Sequence, residues 1–521
     1  MDRNGCVRGM LCAVFIVLII TGTAQAFFVD SENTLELSGK AQTRASFRTQ
    51  DSEGFTYPQV PAGNLVQHRN LLLLEVSHDL KNLRDTLGLL YPFRALDLKV
   101  KYHLVGRFLY EGVYDYGPEA FQDVQDADKD NIDKFKQSYK LWECYADFSR
   151  GPLFLRIGKQ NLAWGETDSF RLLDAINPLD NTYGGIFEDL DDRRIPLTMF
   201  RGSYNFGDIG PVGSLTLESF WVPGFWEAHV SPLTPYGTPY AAPLPPTPAP
   251  LQVRYIYPNK SIDSSRWGAR IMGVLGRSLN FSLAHYETFM DYPSVKFVVD
   301  PWTSLVSLPN MYEDITYEDV QITGASMNYW EKYTDLVLRS EVAMFWDEAV
   351  MIPDINTPLF VIPLPGGAAP LTLPQNGQIP RKNILRYMVG FDKNLWIRPL
   401  NRTTTFFISF QYFGQYVLDY DKRMRQAIAL PPNSMDFAAQ KEIETQMTAL
   451  MSTSYWNGRV SPQVALGYDV RGAWLIQPSV NFIFEPFRFM IQWSAIDGKI
   501  TNFGAFRDRD QITFILSYLL N

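Results

Sequence analysis

Long stretches of the chain alternate between apolar and polar residues. In residues 35–49, apolar or small residues take the odd positions and polar residues the even ones, and residues 98–110 show the same pattern with opposite parity. Successive side chains of a β-strand point to opposite faces, so each stretch predicts a strand with one apolar and one polar face. A run of about 15 residues exceeds the ~5–6 of a typical soluble strand but suits a tilted transmembrane strand.

Similar segments continue to the C-terminus. They predict an all-β fold, a transmembrane antiparallel β-barrel of roughly 16–18 strands with long extracellular loops. Beyond the first two, the predicted strands are 66–78, 139–149, 152–164, 197–206, 214–222, 266–276, 278–290, 318–330, 334–346, 385–397, 402–415, 447–457, 461–470, 473–484, 486–497 and 510–520.

The connections between these strands alternate in length. Short periplasmic turns and long extracellular loops are typical of bacterial outer-membrane barrels, whereas a soluble β-sandwich has no reason to sort its loops in this way. The predicted long loops are 112–138, 165–196, 223–265, 291–317, 347–384 and 416–446.

The N-terminus has the features of a secretory signal peptide. Two arginines precede an apolar run at residues 10–20, and an A-x-A cleavage site ends at Ala26. The predicted domains are a signal peptide, residues 1–26, and the barrel, residues 27–521. We expect the mature protein in the outer membrane of a Gram-negative bacterium, among its lipid and lipopolysaccharide, after insertion by the barrel-assembly machinery.

Composition restricts the partners further. The formal net charge is −9, which argues against a nucleic-acid partner because such a partner requires a basic face. Only Cys144 follows the predicted signal peptide, so we expect no intramolecular disulfide. The oligomeric state stays open.

No motif predicts a cofactor or an enzyme. None of the five histidines has the i, i+2 or i, i+4 spacing of a zinc site. A lipid hydrolase would need a Ser–His pair, and although His103 and His285 lie on predicted strands, no motif selects a serine. Asp126, Asp128 and Asp130 resemble the start of a calcium loop, yet Gln137 replaces the expected glutamate, so calcium binding and a solvated acidic loop both stay open.

Charged residues on the polar faces of the predicted strands should point into the lumen. They could form a selectivity ladder, or they could be the general polar lining of a wide barrel. The candidate lumen-wall residues are Lys40, Arg44, Lys101, His103, Arg107, Arg339 and Glu341.

Residues 165–196 are predicted to fold into the barrel and narrow it. The segment has many apolar residues for an exposed loop, and 177–178 and 184–185 supply the turns needed to fold back. A lid above the barrel is the alternative. The candidate constriction residues are Arg171, Asp174, Asn177, Asp180, Glu188, Arg193 and Arg194.

A second long loop is rich in proline. Residues 232–250 contain eight prolines, which remove backbone donors. This composition predicts a stiff, irregular extracellular surface loop, with a PxxP partner-binding role as the alternative.

Several short motifs resemble a large proteobacterial family known as domain of unknown function 1302. The resemblance implies an outer-membrane barrel that is often encoded beside RND-type export permeases and tied to hydrophobic compounds, and it implies no catalytic residues. The motifs are LRIGKQ at 155–160, AWGE at 163–166, INPLD at 176–180, RIPL at 194–197, RSE at 339–341, VGFD at 389–392 and ISFQ at 408–411.

Three functions fit these observations. The first is a channel or transporter for small molecules, hydrophobic ones among the candidates, working with an RND-type permease. The second is a non-conducting scaffold or sheath around a partner such as an electron-transfer protein. The third is an outer-membrane lipid hydrolase. We expect a channel and no enzyme.

Overall fold

Eighteen antiparallel strands close into one barrel in the computed structural model of the chain. The structure describes residues 27–52, 58–81, 96–227, 229–241, 252–300, 310–362, 371–425 and 439–520. The predicted signal peptide lies outside these residues. In chain order, the barrel strands are β1 Leu35–Arg48, β2 Leu65–Asp79, β3 Lys99–Glu111, β4 Gln137–Arg150, β5 Leu153–Gln160, β6 Leu197–Ile209, β7 Val212–Val222, β8 Arg266–Leu275, β9 Leu279–Phe289, β10 Asp319–Glu331, β11 Leu336–Ala349, β12 Arg381–Leu395, β13 Phe406–Val417, β14 Ile443–Ser452, β15 Val460–Asp469, β16 Ala473–Phe484, β17 Phe487–Gly498 and β18 Gln511–Leu520.

Each strand pairs with its neighbours in sequence, and the first strand pairs with the last. Gly39 of β1 lies opposite Leu520 of β18, and Arg48 lies opposite Gln511. Phe27–Phe28 adds a short antiparallel pairing to the start of β1. Closure removes the free sheet edges, which a bilayer does not tolerate. The predicted fold class is confirmed.

The two faces of the barrel wall differ as the alternation predicts. Leu37, Leu74 and Leu283 point outward and are exposed on the isolated chain, while Arg44 and Tyr286 point inward and are buried. An apolar outer face suits lipid, and a polar inner face suits a lumen.

The long loops carry the remaining secondary structure. A sheet of Gln252–Ile256, Ser294–Val299 and Met311–Thr316 and a hairpin of Leu359–Ile362 with Leu371–Pro374 lie at the loop end. The helices of the described residues are Val113–Tyr116, Glu119–Ala127, Lys129–Lys136, Leu190–Arg193 and Pro353–Asn356, with 3-10 turns at Gly185–Phe187, Ile262–Ser264 and Asn502–Phe506. Within the described ranges, no helix has the length and apolar character needed to cross a membrane.

The largest apolar cluster lies inside the barrel. It joins Trp164, Leu173 and Ile176 to the inward-facing Tyr286 and Ile322. A wide barrel lined by polar groups has no apolar core of its own, so these inward apolar residues indicate that a piece of polypeptide packs there.

Candidate functional site

The connection between β5 and β6 enters the barrel. We call residues 161–196 the crossing segment. The alternation predicts a strand to residue 164, but β5 ends at Gln160, and Trp164 instead packs inside the barrel. Its ring lies 5.2 Å from that of Phe220 and 5.7 Å from that of Tyr286, centroid to centroid.

Asn177 ties the two ends of the crossing segment together. Its Oδ1 accepts a hydrogen bond from the Leu162 amide at 2.9 Å, and its Nδ2 donates to the Ile195 carbonyl at 2.8 Å. Its side chain is fully buried, so removing either partner would leave an unpaired polar group. The predicted turn at 177–178 is therefore fixed by side-chain hydrogen bonds.

One part of the crossing segment is attached to β11. The backbone amides of Glu166 and Leu173 each donate to the Glu341 carboxylate at 2.6 Å, and the Tyr286 hydroxyl donates to the Leu173 carbonyl at 3.0 Å. The Leu173 side chain packs on Gly324 of β10, where an added Cβ would lie 2.7 Å from it. This attachment consists of backbone hydrogen bonds and apolar packing.

A charged group extends this attachment toward β13. Arg339 forms ion pairs with Asp168 of the crossing segment at 2.5 Å and with Asp392 of β12 at 3.1 Å. The Gln411 amide also donates to Asp168 at 3.0 Å. The Asp168 carboxylate thus bridges Arg339 of β11 and Gln411 of β13.

A second part of the crossing segment is attached to β1 and β2. The Glu188 carboxylate lies 3.0 Å from Arg44 and 2.6 Å from Arg69, and all three side chains are buried. Arg44 also donates to the Phe187 carbonyl at 3.1 Å, and Gln67 donates to the Tyr183 carbonyl. Buried charges require such pairing because their desolvation is costly.

The two attachments lie on opposite walls. β2 and β11 are nine strands apart in a ring of eighteen. The crossing segment therefore spans the lumen.

Charged side chains within the crossing segment pair with each other and with one loop. Arg171 lies 3.0 Å from Asp291 and donates to the Asn177 carbonyl at 2.6 Å. Arg194 pairs with Asp174, whose pKa is raised by burial although both arginines oppose the shift. Charges of both signs are thus fixed within the crossing segment.

Comparison with known families gives one match. Residues 7–520 match the model of a family described as protein of unknown function (DUF1302). The chain belongs to this family. The family resemblance predicted from the motifs is confirmed, and no curated protein matches the chain.

The DUF1302 chain is also similar to solved outer-membrane protein structures. Pseudomonas aeruginosa OccK9 (OpdG) is 9% identical with a TM-score of 0.47, covering 95% of this chain and 100% of that one. The outer membrane protein opdK from Pseudomonas aeruginosa is 10% identical with a TM-score of 0.45, covering 95% and 100%. Acinetobacter baumannii OccAB1 is 10% identical with a TM-score of 0.44, covering 96% and 99%. At such identities no residue role transfers from one chain to another.

In this DUF1302 protein, the predicted constriction residues all lie in the crossing segment, but their contacts differ: some reach the barrel wall and others stay within the segment. Glu188 alone among them pairs with the wall at β1 and β2, while Arg193 donates to Asn181 at 3.1 Å and Asp180 accepts from the Thr182 amide at 3.0 Å. These last two contacts stabilise the segment itself and do not reach the wall.

The predicted lumen-wall residues fall into two groups. Arg44, Arg339 and Glu341 contact the crossing segment directly, and the Arg107 guanidinium lies 6.0 Å from the centre of the Tyr183 ring. The other three lie nearer the turn end of their strands. Lys101 forms an ion pair with Asp79 at 3.2 Å, and His103 forms a hydrogen bond with Ser77 at 2.8 Å. Lys40 has no polar contact with the crossing segment among the described residues.

Some wall residues that hold loops in place were not predicted. Glu218 of β7 accepts from Trp164 at 2.6 Å and pairs with Arg201 at 2.7 Å and Arg270 at 3.1 Å. The three charged wall residues, Glu218, Arg201 and Arg270, each lie on the polar face of a predicted strand, so the alternation could have identified them as inward-facing. It could not have shown that they surround a tryptophan from a loop.

The prediction that residues 232–250 form an exposed surface loop is wrong for the part that the structure describes. The Pro239 carbonyl accepts from Arg48 of β1 at 3.3 Å, and the buried Tyr240 donates to Gln511 of β18 at 3.2 Å. Inward-facing polar groups at the loop end of the barrel need partners, and these backbone and hydroxyl groups supply them. Residues 242–250 lie outside the described residues.

The structure also places the other candidate chemistry. Asp126 and Asp130 lie in the helices Glu119–Ala127 and Lys129–Lys136, with Asp128 between them. No group of three or more metal-ligating side chains occurs in the described part of the chain. Ser77 and His103 do form a pair, but no described carboxylate hydrogen-bonds to that histidine as a catalytic triad requires.

Proposed function

We propose that this protein is an outer-membrane channel for small molecules, hydrophobic compounds among them, and that the crossing segment narrows its lumen. The observation that carries the proposal is the attachment of one segment to opposite walls, through Glu188 on β1 and β2 and through Glu341 on β11. The charged groups held across the barrel are suited to select solutes, while the half-buried Phe170 gives the passage an apolar side.

The same arrangement disfavours a sheath around a threaded partner protein. Such a sheath needs an open lumen, and the crossing segment with the 235–241 turn occupies the space between the walls. Cooperation with an RND-type permease stays a prediction based on the family resemblance.

Deleting residues 170–190 tests the channel proposal. We expect higher single-channel conductance in planar bilayers, because the deletion removes Leu173 of the β11 attachment and Glu188 of the β1–β2 attachment from the lumen. Deleting residues 359–374, in which Leu359–Ile362 pairs with Leu371–Pro374, is the matched control and should leave conductance unchanged. Heat-modifiable migration of each refolded variant checks that the barrel has formed.

Two results would contradict the proposal. One is equal conductance of the two deletion variants and the intact protein. The other is rapid labelling of cysteines placed at Asp174 and Asp189 by a bulky reagent added outside the cell, because this would indicate a lid above the barrel.

A further inference from the structure

Closure of the barrel leaves one long strand edge unpaired, on β4 above the end of β5. On its other side, β4 pairs with β3 along residues 137–149. Its pairing with β5 covers only residues 144–150, because β5 ends at Gln160. Residues 137–143, about 23 Å of strand, therefore have no strand partner on the β5 side. No backbone hydrogen bond from the described loops replaces that strand at residues 138–143.

The crossing segment explains this gap in the wall. The alternation predicts that β5 continues to residue 164, but the chain leaves the wall after Gln160, and Trp164 is buried inside the barrel. The segment returns above β5 at Asn177, whose Nδ2 donates to the Gln160 carbonyl at 3.3 Å. It does not pair with β4 there, because the amide of Leu179 donates to Ser231 of a loop at 3.0 Å. The residues that could have extended β5 beside β4 are thus used inside the lumen.

Both faces of β4 are exposed along the unpaired edge. Tyr139 and Leu141 point outward and are 51% and 54% exposed. Lys140 points inward, because it lies opposite the inward-facing Arg107 of β3, and it is exposed as well. Arg107 is only 8% exposed, so side chains at the same level are covered on β3 and uncovered on β4. The wall is therefore open beside residues 139–141.

Side chains from the end of β5 reach β4 only at the base of the gap, in the part of the chain that the structure describes. The Lys159 Nζ donates to the Leu141 carbonyl at 3.3 Å, and the Asn161 Nδ2 donates to the Glu143 carboxylate at 2.8 Å. The same Nζ lies 5.9 Å from the centre of the Trp142 ring. These side-chain contacts can separate without breaking a strand pairing.

The gap lies at the depth of the outer leaflet. β5 has 8 residues, fewer than the ~9–11 that a tilted strand needs to cross the apolar part of a bilayer, whereas β4 has 14. At membrane depth, unpaired backbone is tolerated only where it is buried in protein or lines a water-filled cavity. Because the edge of β4 is exposed, it indicates a water-filled opening between the lumen and the lipid. Tyr139 and Leu141 give this opening an apolar rim.

We propose that the gap is a lateral exit, through which uncharged apolar molecules pass from the lumen into the outer leaflet of the membrane. The inference rests on the proposed function and deepens it by naming a route and a solute class. The crossing segment leaves the wall at the base of the gap, so the gap opens on the loop side of the segment. A molecule that enters from the loop end therefore meets the gap before it passes the segment. Transfer of apolar surface from water to lipid is favourable, so such a molecule leaves sideways, whereas ions stay in the lumen.

Fluorescence quenching tests the gap in the processed chain, purified from outer membranes and placed in phosphatidylcholine vesicles. Cys144→Ser removes the free thiol, and Lys140→Cys then carries a small thiol-reactive fluorophore. Aqueous iodide and a nitroxide-labelled phosphatidylcholine should both quench this label. Lys101→Cys is the matched control, because Lys101 is also an exposed inward-facing lysine but lies on β3, where residues 79 and 147 pair with it on both sides.

The label at Lys101→Cys should be quenched by iodide and severalfold less by the nitroxide lipid. Equal quenching of the two labels by the nitroxide lipid, whether strong or absent, would mean that the wall is no more open beside β4 than elsewhere and would overturn the proposal. Heat-modifiable migration checks that each barrel has formed. This measurement needs no current, so the gap can fail while the channel proposal holds, and the deletion of residues 170–190 can fail while the gap is found.

Uptake by cells tests passage through the gap. The probe is N-phenylnaphthylamine, which is uncharged and fluoresces in lipid. A bulky thiol reagent attached to Lys140→Cys should slow the rise in fluorescence severalfold and should reduce the ion current of the purified protein by a smaller factor. Asp354→Cys, in the loop helix Pro353–Asn356, is the control; its side chain is 70% exposed, and the same reagent should leave uptake unchanged.

Two results of the uptake experiment would overturn the lateral exit. One is unchanged uptake after complete reaction at Lys140→Cys. The other is an equal fractional loss of uptake and of ion current, because this would place the reagent in a single path along the barrel axis.

Discussion

The two attachments of the crossing segment use different chemistry. At β11, a wall carboxylate accepts two backbone amides of the segment, and Leu173 and Trp164 pack around them. At β1 and β2, the segment supplies the carboxylate, Glu188, and the wall supplies two arginines. The first attachment depends on backbone geometry and apolar burial, whereas the second depends on charge. The β1–β2 side should therefore be the one that solution conditions and solutes can release.

The largest effect is expected from Glu341→Ala. The change leaves the amides of Glu166 and Leu173 without an acceptor in an apolar surrounding, which costs roughly 1–3 kcal/mol for each group. We expect a clearly lower denaturant midpoint for the refolded barrel, followed by intrinsic fluorescence. Asp392→Ala, at the edge of the same wall, is the control and should cost less, because Arg339 keeps Asp168 as a partner. Equal midpoints for the two variants would contradict a dominant role for the β11 attachment.

An intermediate effect is expected from Glu188→Gln. Arg44 and Arg69 lose their shared carboxylate, so this side of the segment should detach while the β11 side stays in place. Single-channel conductance and preference for anions should both rise, with a smaller loss of stability than in Glu341→Ala. Asp191→Asn is the control within the same segment, because the Asp191 side chain is 85% exposed. If both variants conduct like the unmodified protein, Glu188 does not hold the passage closed.

The sequence predicted the barrel more completely than its contents. Alternation identified the barrel strands because each has one face toward lipid and one toward the lumen, as in β1. It also indicated that residues 165–196 are too apolar for an exposed loop. It could not indicate which wall residues meet that segment, because contacts such as Glu188 with Arg69 join positions 119 residues apart without any local pattern.

The proline-rich loop shows the same limit. In residues 232–241, proline content correctly predicted irregular backbone, but irregular backbone can lie inside a wide barrel when inward-facing arginines need acceptors. The Pro239 carbonyl accepts one hydrogen bond each from Arg48 and Arg509. Local composition therefore predicts the conformation of a loop better than it predicts the side of the wall on which the loop lies.

The smallest effect is expected from release of the β1–β2 attachment by acid. Burial alone would raise the pKa of Glu188, but Arg69 and Arg44 outweigh it and hold the pKa below its usual value of about 4.3. A lowered pKa in the folded state means that the attachment is fully present above about pH 4.3 and is lost as the pH falls through the lower folded-state value. Titration of Glu188 should therefore leave conductance unchanged between pH 7 and 5 and should raise it only below about pH 4.

Comparing the unmodified protein with the Glu188→Gln variant separates the titration of Glu188 from that of the other acids of the crossing segment. Burial raises the pKa of Asp189, so that carboxyl titrates at a higher pH and does so in both proteins. The difference between the two conductance curves should then shrink below about pH 4, because the protonated Glu188 side chain and the glutamine that replaces it are both neutral. A difference that persists unchanged to pH 3 would mean that the ion pairs with Arg44 and Arg69 do not hold this side of the segment, and that packing of Phe187 and Tyr183 does.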